Sequence, residues 1–161
     1  TKKPERTGVS VNAEGGSQDW RRYGFRASAV DESGIGVTAW ATHREEGRSR
    51  LLLYNDVPND NLSYREDAGG LKFVTGAWSV GGEWGNAASE WEYGTGRDLN
   101  RQEDDWSRYV LAYDDGTTRF TLYRHEGEKF LSQDSAWGAF ETSYDDTAWG
   151  AEVTRRFDWA G

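Results

Sequence analysis

Apolar and polar side chains alternate at every second residue over long stretches of this chain, and this alternation restricts the fold more than any other feature. Tyr23, Phe25, Ala27 and Ala29 take one set of alternate positions, while arginine, glycine and serine take the other. The same pattern returns in the segment 149–157. A period of two places the two sets on opposite faces of a β-strand. Helical spacing is not sustained anywhere in the chain, so the sequence predicts an all-β fold.

Clusters of glycine and acidic residues separate the alternating stretches, as turn residues do between the strands of β-hairpins. They predict one antiparallel up-and-down meander of about ten strands, closed into a barrel. The predicted strands span 8–14, 19–30, 35–45, 48–55, 61–75, 77–88, 105–113, 117–125, 129–140 and 146–158. Predicted turns include Gly81-Gly82, Glu126-Gly127 and Asp145-Asp146, and the segment 94–105 is predicted to be the longest loop. Both prolines, Pro4 and Pro58, are predicted to lie outside the strands.

Length and composition fit one β domain. A flexible tail is predicted over residues 1–7 and a single β-barrel domain over 8–161. Only 35% of the residues are hydrophobic, yet the chain holds 9 Trp, 8 Tyr and 20 Gly, so its apolar surface is largely aromatic. The net charge of -9 argues against nucleic acid as a partner, because binding to phosphates requires a basic face. The absence of Cys excludes disulfides and thiolate ligands.

The two faces of the predicted strands are compatible with two architectures. In a membrane barrel the aromatic face meets lipid and the charged, glycine-bearing face lines the lumen, whereas in a soluble barrel the aromatic face points inward. The mixture of charge and glycine on the polar face favours the membrane barrel, as do aromatic residues near predicted strand ends. These aromatic residues are Trp20, Trp40, Trp78, Trp91, Trp106, Tyr113, Tyr144 and Trp159. The predicted lumen-lining residues are Arg22, Arg26, Thr38, Lys72, Arg108, Glu152, Thr154 and Arg156.

The soluble barrel stays open as an alternative, because a tilted spanning strand needs about four or five consecutive lipid-facing apolar positions. Phe120 and Leu122 alone precede Arg124 on their face, and 29% of all residues are charged. A soluble barrel would bind a carbohydrate or a small apolar ligand. Its binding or core side would carry Phe25, Trp84, Trp91, Phe120 and Trp149. Trp84 and Trp91 would form a sugar-stacking platform, because carboxylate and amide side chains lie beside them in the sequence.

No constellation of residues predicts an enzyme. His43 and His125 each have acidic neighbours, but acid-base or metal chemistry would require the fold to bring the two together. The serines lack the Gly-x-Ser-x-Gly elbow of a triad hydrolase. Paired carboxylates such as Asp114-Asp115 are typical of solvated turns. The sequence therefore predicts no catalytic residue, no metal and no cofactor.

Two segments resemble known outer-membrane β-barrels. The segment 15–29, GGSQDWRRYGFRASA, resembles strands of TonB-dependent receptor barrels. The segment 106–157, with YDDG at 113–116 and TAWGAEV at 147–153, resembles barrel hairpins of those receptors and of porins. A chain of 161 residues has no room for the plug domain and coupling box of such a receptor, and Phe157 is followed by four further residues. The resemblance therefore implies a small pore, a barrel fragment or an engineered barrel.

The expected protein is an outer-membrane-type transmembrane β-barrel of a Gram-negative bacterium, acting as a narrow pore or a transport scaffold with a charged lumen. Its expected partners are a lipid bilayer or detergent, and a small solute or sugar. A secreted or soluble β-barrel that binds carbohydrate or a small apolar ligand is the alternative.

Overall fold

The structure is a computed structural model and describes residues 7–17, 19–47, 49–53, 57–93 and 98–156. Its fold is a single antiparallel sheet. The strands are β1 (Gly8–Gly15), β2 (Arg21–Val30), β3 (Gly36–Glu46), β4 (Ser49–Leu53), β5 (Val57–Thr75), β6 (Trp78–Tyr93), β7 (Asp98–Asp114), β8 (Thr118–Ser135) and β9 (Gly138–Arg155). Within the described ranges, no helix has the length and apolar character needed to cross a membrane.

The strands follow one another across the sheet in chain order. β5 pairs with β3 over residues 64–74 and with β4 over residues 57–61, so β3 and β4 lie end to end along one long partner. The sheet is therefore eight strands wide, in the order β1-β2-β3-β5-β6-β7-β8-β9. The predicted all-β antiparallel meander is confirmed.

The predictions of about ten strands and of a closed barrel are wrong. In the part of the chain that the structure describes, β1 pairs only with β2 and β9 only with β8, so the sheet has two open edges. The predicted turns Glu126-Gly127 and Asp145-Asp146 lie inside β8 and β9. The hairpin between these two strands turns instead at Ala136 and Trp137.

Other polar segments that the sequence assigns to turns or loops are also strand. Gly81-Gly82 lies inside β6, residues 98–105 of the predicted loop belong to β7, and Pro58 lies in β5. Small or polar side chains dominate both faces of these segments, so the alternation disappears although the ladder continues. Residues 94–97 of the predicted loop and 1–6 of the predicted tail lie outside the described residues.

The register of the ladders divides the sheet into two faces, because directly opposed residues in neighbouring strands share a face. One face, termed the apolar face, carries aliphatic and aromatic side chains. They include Val11, Phe25, Val37, Leu71, Phe73, Val80, Trp84, Leu111, Leu122 and Val153. The other, termed the polar face, carries mainly charged, hydroxyl and glycine residues. They include Arg26, Ser28, Thr38, Lys72, Glu83, Arg108, Thr121 and Glu152.

The apolar face is the more exposed of the two. Along β5, β6 and β7 most exposed positions lie on the apolar face and alternate with half-buried positions on the polar face. Leu71 and Val80 are 54% and 50% exposed, whereas Thr38 on the polar face is 6% exposed. The sheet is therefore curled with its polar face inside. This is the reverse of a soluble β-barrel, whose interior is apolar.

A single layer of sheet cannot enclose a hydrophobic core. The accessible surface is 11634 Å², against about 8,100 Å² for a globular monomer of this size. Among the described side chains the buried hydrophobic residues are Val74 and Ala112, and both lie on the polar face. The described chain thus leaves its own apolar face uncovered.

Candidate functional site

A trough runs across the polar face from β2 to β9. Its floor is one cross-strand row of mainly small residues, each opposed to the next in the ladder. The row consists of Gly24, Thr42, Ala68, Gly85, Trp106, Gly127 and Asp146. Small side chains leave the strand backbone accessible, and the trough has a volume of about 930 Å³. This is within the size range of small-molecule sites.

Trp40 and Trp106 are the tryptophans of the polar face that line this trough. The ring of Trp106 lies over Gly85, where an added Cβ would come within 2.7 Å of the ring. Trp40 lies in the same way over Gly70, where an added Cβ would come within 2.7 Å of the indole Nε1. Any larger residue than glycine would displace these rings. Both tryptophans are half-buried, so part of each ring stays accessible from the trough.

Charged side chains flank the trough on both sides. On one side Glu83 and Arg108 are cross-strand partners, with Glu83 Oε1 3.7 Å from Arg108 Nη1. The Arg108 guanidinium also lies 5.6 Å from the centre of the Tyr123 ring. On the other side Lys129 Nζ lies 3.5 Å from Asp104 Oδ1. Each row flanking the trough therefore contains a cross-strand ion pair.

A smaller cavity of about 330 Å³, the basin, adjoins the trough on the polar face. Trp40 lines both cavities and stands between them. The charged residues that line the basin are Lys72, Glu83, Arg108 and Arg119. Three positive side chains face one negative side chain, so the basin is locally electropositive.

The structure brings most of the predicted lumen residues onto one face. Lys72 and Arg108 line the basin, and the Thr38 hydroxyl lies 3.2 Å from that of Ser28. Arg156 follows the end of β9 and is exposed. The predicted residues that lie on the polar face are Arg22, Arg26, Thr38, Lys72, Arg108, Glu152 and Thr154.

The predicted stacking pair, Trp84 and Trp91, is not brought together. The two residues are seven positions apart in β6, and an odd separation places them on opposite faces of the strand. Trp84 shares the apolar face with Phe25, Phe120 and Trp149, whereas Trp91 lies on the polar face.

Only some of the aromatic residues predicted at strand ends lie there in the structure. Trp78 and Tyr113 lie at neighbouring ends of β6 and β7, with ring centres 4.9 Å apart. Trp40 and Trp106 lie inside strands instead, and sequence analysis missed their place in the trough. The parity of their positions could have revealed it, because Trp40 lies two residues from Thr38 and Trp106 two residues from Arg108. Trp20 lies outside the strands, Trp91 and Tyr144 lie within β6 and β9, and Trp159 lies outside the described residues.

A group of ionisable residues lies on the apolar face beyond its hydrophobic part. His43 Nδ1 is 2.6 Å from Asp67 Oδ1, and His43 Nε2 is 3.1 Å from Glu45 Oε1. The hydrogen bond to Asp67 raises the pKa of His43, and the same bond lowers the pKa of Asp67. Arg65 donates a second hydrogen bond to Asp67 at 2.8 Å. This is an ion-pair cluster at a strand surface.

The two histidines lie on opposite faces of the sheet, His43 on the apolar face and His125 on the polar face. They therefore cannot act together as an acid-base pair or as joint metal ligands. No cluster of three His, Asp or Glu residues suited to a metal ion occurs among the described residues.

Comparisons with known proteins identify no relative. No protein-family model, no curated protein and no solved structure matches this chain.

Proposed function

We propose that this sheet is a wall of an outer-membrane-type transmembrane β-barrel, with its apolar face in lipid and its polar face lining a lumen that small solutes enter. The observation that carries the proposal is the inverted exposure of the two faces. Leu71 and Val80 are about half exposed, while polar Thr38 is buried. Such a sheet leaves a large apolar surface in water, whereas in lipid the same surface is solvated.

The apolar face has the layered composition of a transmembrane β-sheet. Aliphatic side chains form a band, and aromatic residues lie at its two boundaries. Trp78 and Tyr113 lie at one boundary, and Tyr23, Trp84 and Trp149 lie at the other. Outer-membrane barrels carry such a band between two aromatic girdles. Beyond the second boundary the same face becomes charged, which fits strands that extend into water.

The second boundary crosses the ladder obliquely. The cross-strand row of Tyr23 reaches Asn86 in β6 and Asp145 in β9. Trp84 lies two residues from that row and Trp149 four residues from it. Both tryptophans are displaced from the row toward the aliphatic band. A flat membrane surface cuts tilted strands in this way, because rows of a tilted sheet are not parallel to the membrane.

The unpaired edges of β1 and β9 must be covered if the sheet is to lie in a membrane. Unpaired backbone N–H and C=O groups are costly in lipid, so spanning sheets have no free edge. The proposal therefore requires further β-strands that pair with β1 and β9 in the membrane. It does not require any change in the pairing already described.

A pair of neighbouring substitutions tests the proposal. Val80 lies in the band on the apolar face, and Ser79 lies beside the basin on the polar face. Val80→Asp should destabilise the inserted sheet by about 2 kcal/mol, because a carboxylate would enter lipid. Ser79→Asp should insert normally, because it adds a negative charge beside Lys72 and Arg119.

The measurement is insertion into phosphatidylcholine vesicles, followed by protease protection and by the heat-dependent gel shift of membrane β-barrels. Loss of both signals for Val80→Asp alone supports the proposal. Equal behaviour of the two variants would overturn it, as would a monodisperse wild-type protein that folds fully in buffer without detergent or lipid.

A further inference from the structure

We infer that the trough on the polar face binds an uncharged carbohydrate chain, with Trp40 and Trp106 stacking on its sugar rings. This inference rests on the proposed function, because it names the class of solute that meets the lumen side of the sheet. Three observations carry it: the shape of the trough, the position of the tryptophans and the balance of charge around them.

The trough is long and shallow. Its floor crosses seven strands, from Gly24 in β2 to Asp146 in β9. Measured along the curled sheet at about 4.8 Å between strands, the floor is about 29 Å long. A compact metabolite would contact only a part of this floor, whereas a chain of linked units could contact several strands.

The two tryptophans expose apolar ring surface on a face of the sheet that is otherwise mainly polar. Trp106 and Trp40 lie over glycines, which leave room for the rings close to the sheet. Their backbones lie in β7 and β3, but the ring of Trp106 lies over Gly85 in β6 and the ring of Trp40 over Gly70 in β5. The two rings therefore lie over neighbouring strands, which are about 4.8 Å apart. A pyranose ring has an apolar C–H face and a rim of hydroxyl groups. Two rings over neighbouring strands therefore suit adjacent sugar units of one chain.

On the polar face, the charges in the floor row of the trough and in the two rows beside it balance one another. The positive residues are Arg22, Arg26, Arg44, Arg108 and Lys129, and the negative residues are Glu14, Glu66, Glu83, Asp104 and Asp146. An anionic ligand would find no net attraction on this surface, because the other ionised residues that line the trough, Asp67, Asp105, Glu126, Glu128 and Asp145, are acidic. An apolar ligand would strip water from the paired charges without replacing its hydrogen bonds. Hydroxyl groups both donate and accept hydrogen bonds, so they suit carboxylate and guanidinium together.

The test is a binding titration on protein folded in detergent, followed by the quenching of tryptophan fluorescence and by calorimetry. The probes are two neutral chains, maltohexaose and cellohexaose, and one anionic chain, trigalacturonate. We expect at least one neutral chain to bind and the anionic chain to bind more weakly. Trp106→Ala should weaken binding about tenfold, and Trp106→Phe should restore part of it, because the phenyl ring still stacks.

Matched controls separate the trough from the rest of the molecule. Trp137→Ala changes a tryptophan that is 97% exposed in the β8–β9 turn, and it should leave the affinity unchanged. Gly127→Val should block binding by filling the floor. An added Cβ on Gly127 meets nothing closer than 3.5 Å, so this variant should fold. Gly8→Val makes the same change at the start of β1, outside the trough, and should not affect binding.

The outcomes distinguish this inference from the proposed function. Protein that inserts into vesicles but binds neither neutral chain overturns the inference alone, as does unchanged affinity in both Trp106→Ala and Gly127→Val. Stronger binding of the anionic chain overturns the assignment of an uncharged ligand. Protein that binds a neutral chain in plain buffer and never inserts into vesicles overturns the membrane proposal and leaves the trough assignment standing.

Discussion

The ring of Trp106 lies over Gly85, so that a Cβ on Gly85 would come within 2.7 Å of the ring and 2.9 Å of the carbonyl oxygen of Asp67. Tyr123 in β8 likewise lies over Gly150 in the neighbouring strand β9. Aromatic rings over glycines of neighbouring strands protect the exposed backbone and pin the register. Gly70, under the ring of Trp40, is a third glycine of this kind.

The contact between Trp106 and Gly85 predicts a difference between two glycines of the trough. Gly85→Ala should lower the free energy of unfolding by about 1–3 kcal/mol, because both the ring and a backbone oxygen would have to move. Gly127→Ala should leave stability unchanged or raise it by about 0.4–1 kcal/mol, since its new Cβ has room and the unfolded chain loses freedom. Urea unfolding followed by circular dichroism in detergent measures both. Equal destabilisation of the two variants would contradict the described register.

The sequence predicts the meander and the two faces of β2 and β9, because both strands cross the apolar band with alternating residues. The prediction is wrong where the band ends. In the outer parts of β7, β8 and β9 polar residues dominate both faces, so Glu126-Gly127 and Asp145-Asp146 look like turns although they lie in the ladder. The turn at Ala136 and Trp137 carries no acidic cluster. The residue that could have indicated it is Gly138, whose backbone φ of 125° favours glycine.

The candidate site was predictable only in part. The polar face follows from the period of two, and most of the predicted lumen residues lie on it. The trough depends on which residue opposes which across seven strands, and register is not visible in any one segment. The pairing of Trp84 with Trp91 failed for a different reason: the two residues are an odd number of positions apart in one strand, which places them on opposite faces.

The cluster around His43 predicts a pH dependence of stability. The pKa of His43 is raised above its ordinary value of 6.5, so its contribution is complete below pH 6.5 and is lost as pH rises through the raised folded pKa. The pKa of Asp67 is lowered from 3.8, so its contribution is present above that pH and is lost as pH falls through the lowered folded pKa. The pair therefore stabilises most between pH 3.8 and 6.5, by less than about 1 kcal/mol, because both side chains are partly exposed.

The measurement for this pair is an NMR titration of His43 together with urea midpoints at pH 5.5 and pH 8.5. Asp67→Asn should move the His43 pKa back toward its ordinary value and reduce the difference between the two midpoints. Asp105→Asn removes an acidic residue from the same cross-strand row, two strands away, and should change neither quantity. If both variants shift His43 equally, the specific bond to Asp67 is not the cause.

The contact between Arg124 and Trp149 predicts an interaction that strengthens in lipid. The Arg124 guanidinium lies 5.1 Å from the centre of the Trp149 ring, on the apolar face. A double-mutant cycle with Arg124→Gln and Trp149→Leu in vesicles should give a coupling of about 2 kcal/mol, because water is excluded there. Arg44 and Tyr64 form a similar contact of 5.2 Å on the polar face and serve as the control. Their coupling should stay at about 0.5–1 kcal/mol, and equal values for the two pairs would argue against lipid at Trp149.

The charge of the basin predicts the ion preference of the proposed pore. Lys72, Arg108 and Arg119 face Glu83 there, and positive side chains in a narrow passage favour anions. Reversal potentials across a potassium chloride gradient in planar bilayers should therefore show anion preference. Arg119→Glu should reduce or invert it, because the basin would then hold two positive and two negative side chains. Arg101→Glu changes the same residue type on the apolar face, beyond the band, and should leave the reversal potential unchanged. Cation preference in the wild-type protein, or an equal shift in both variants, would remove the basin from the conducting path.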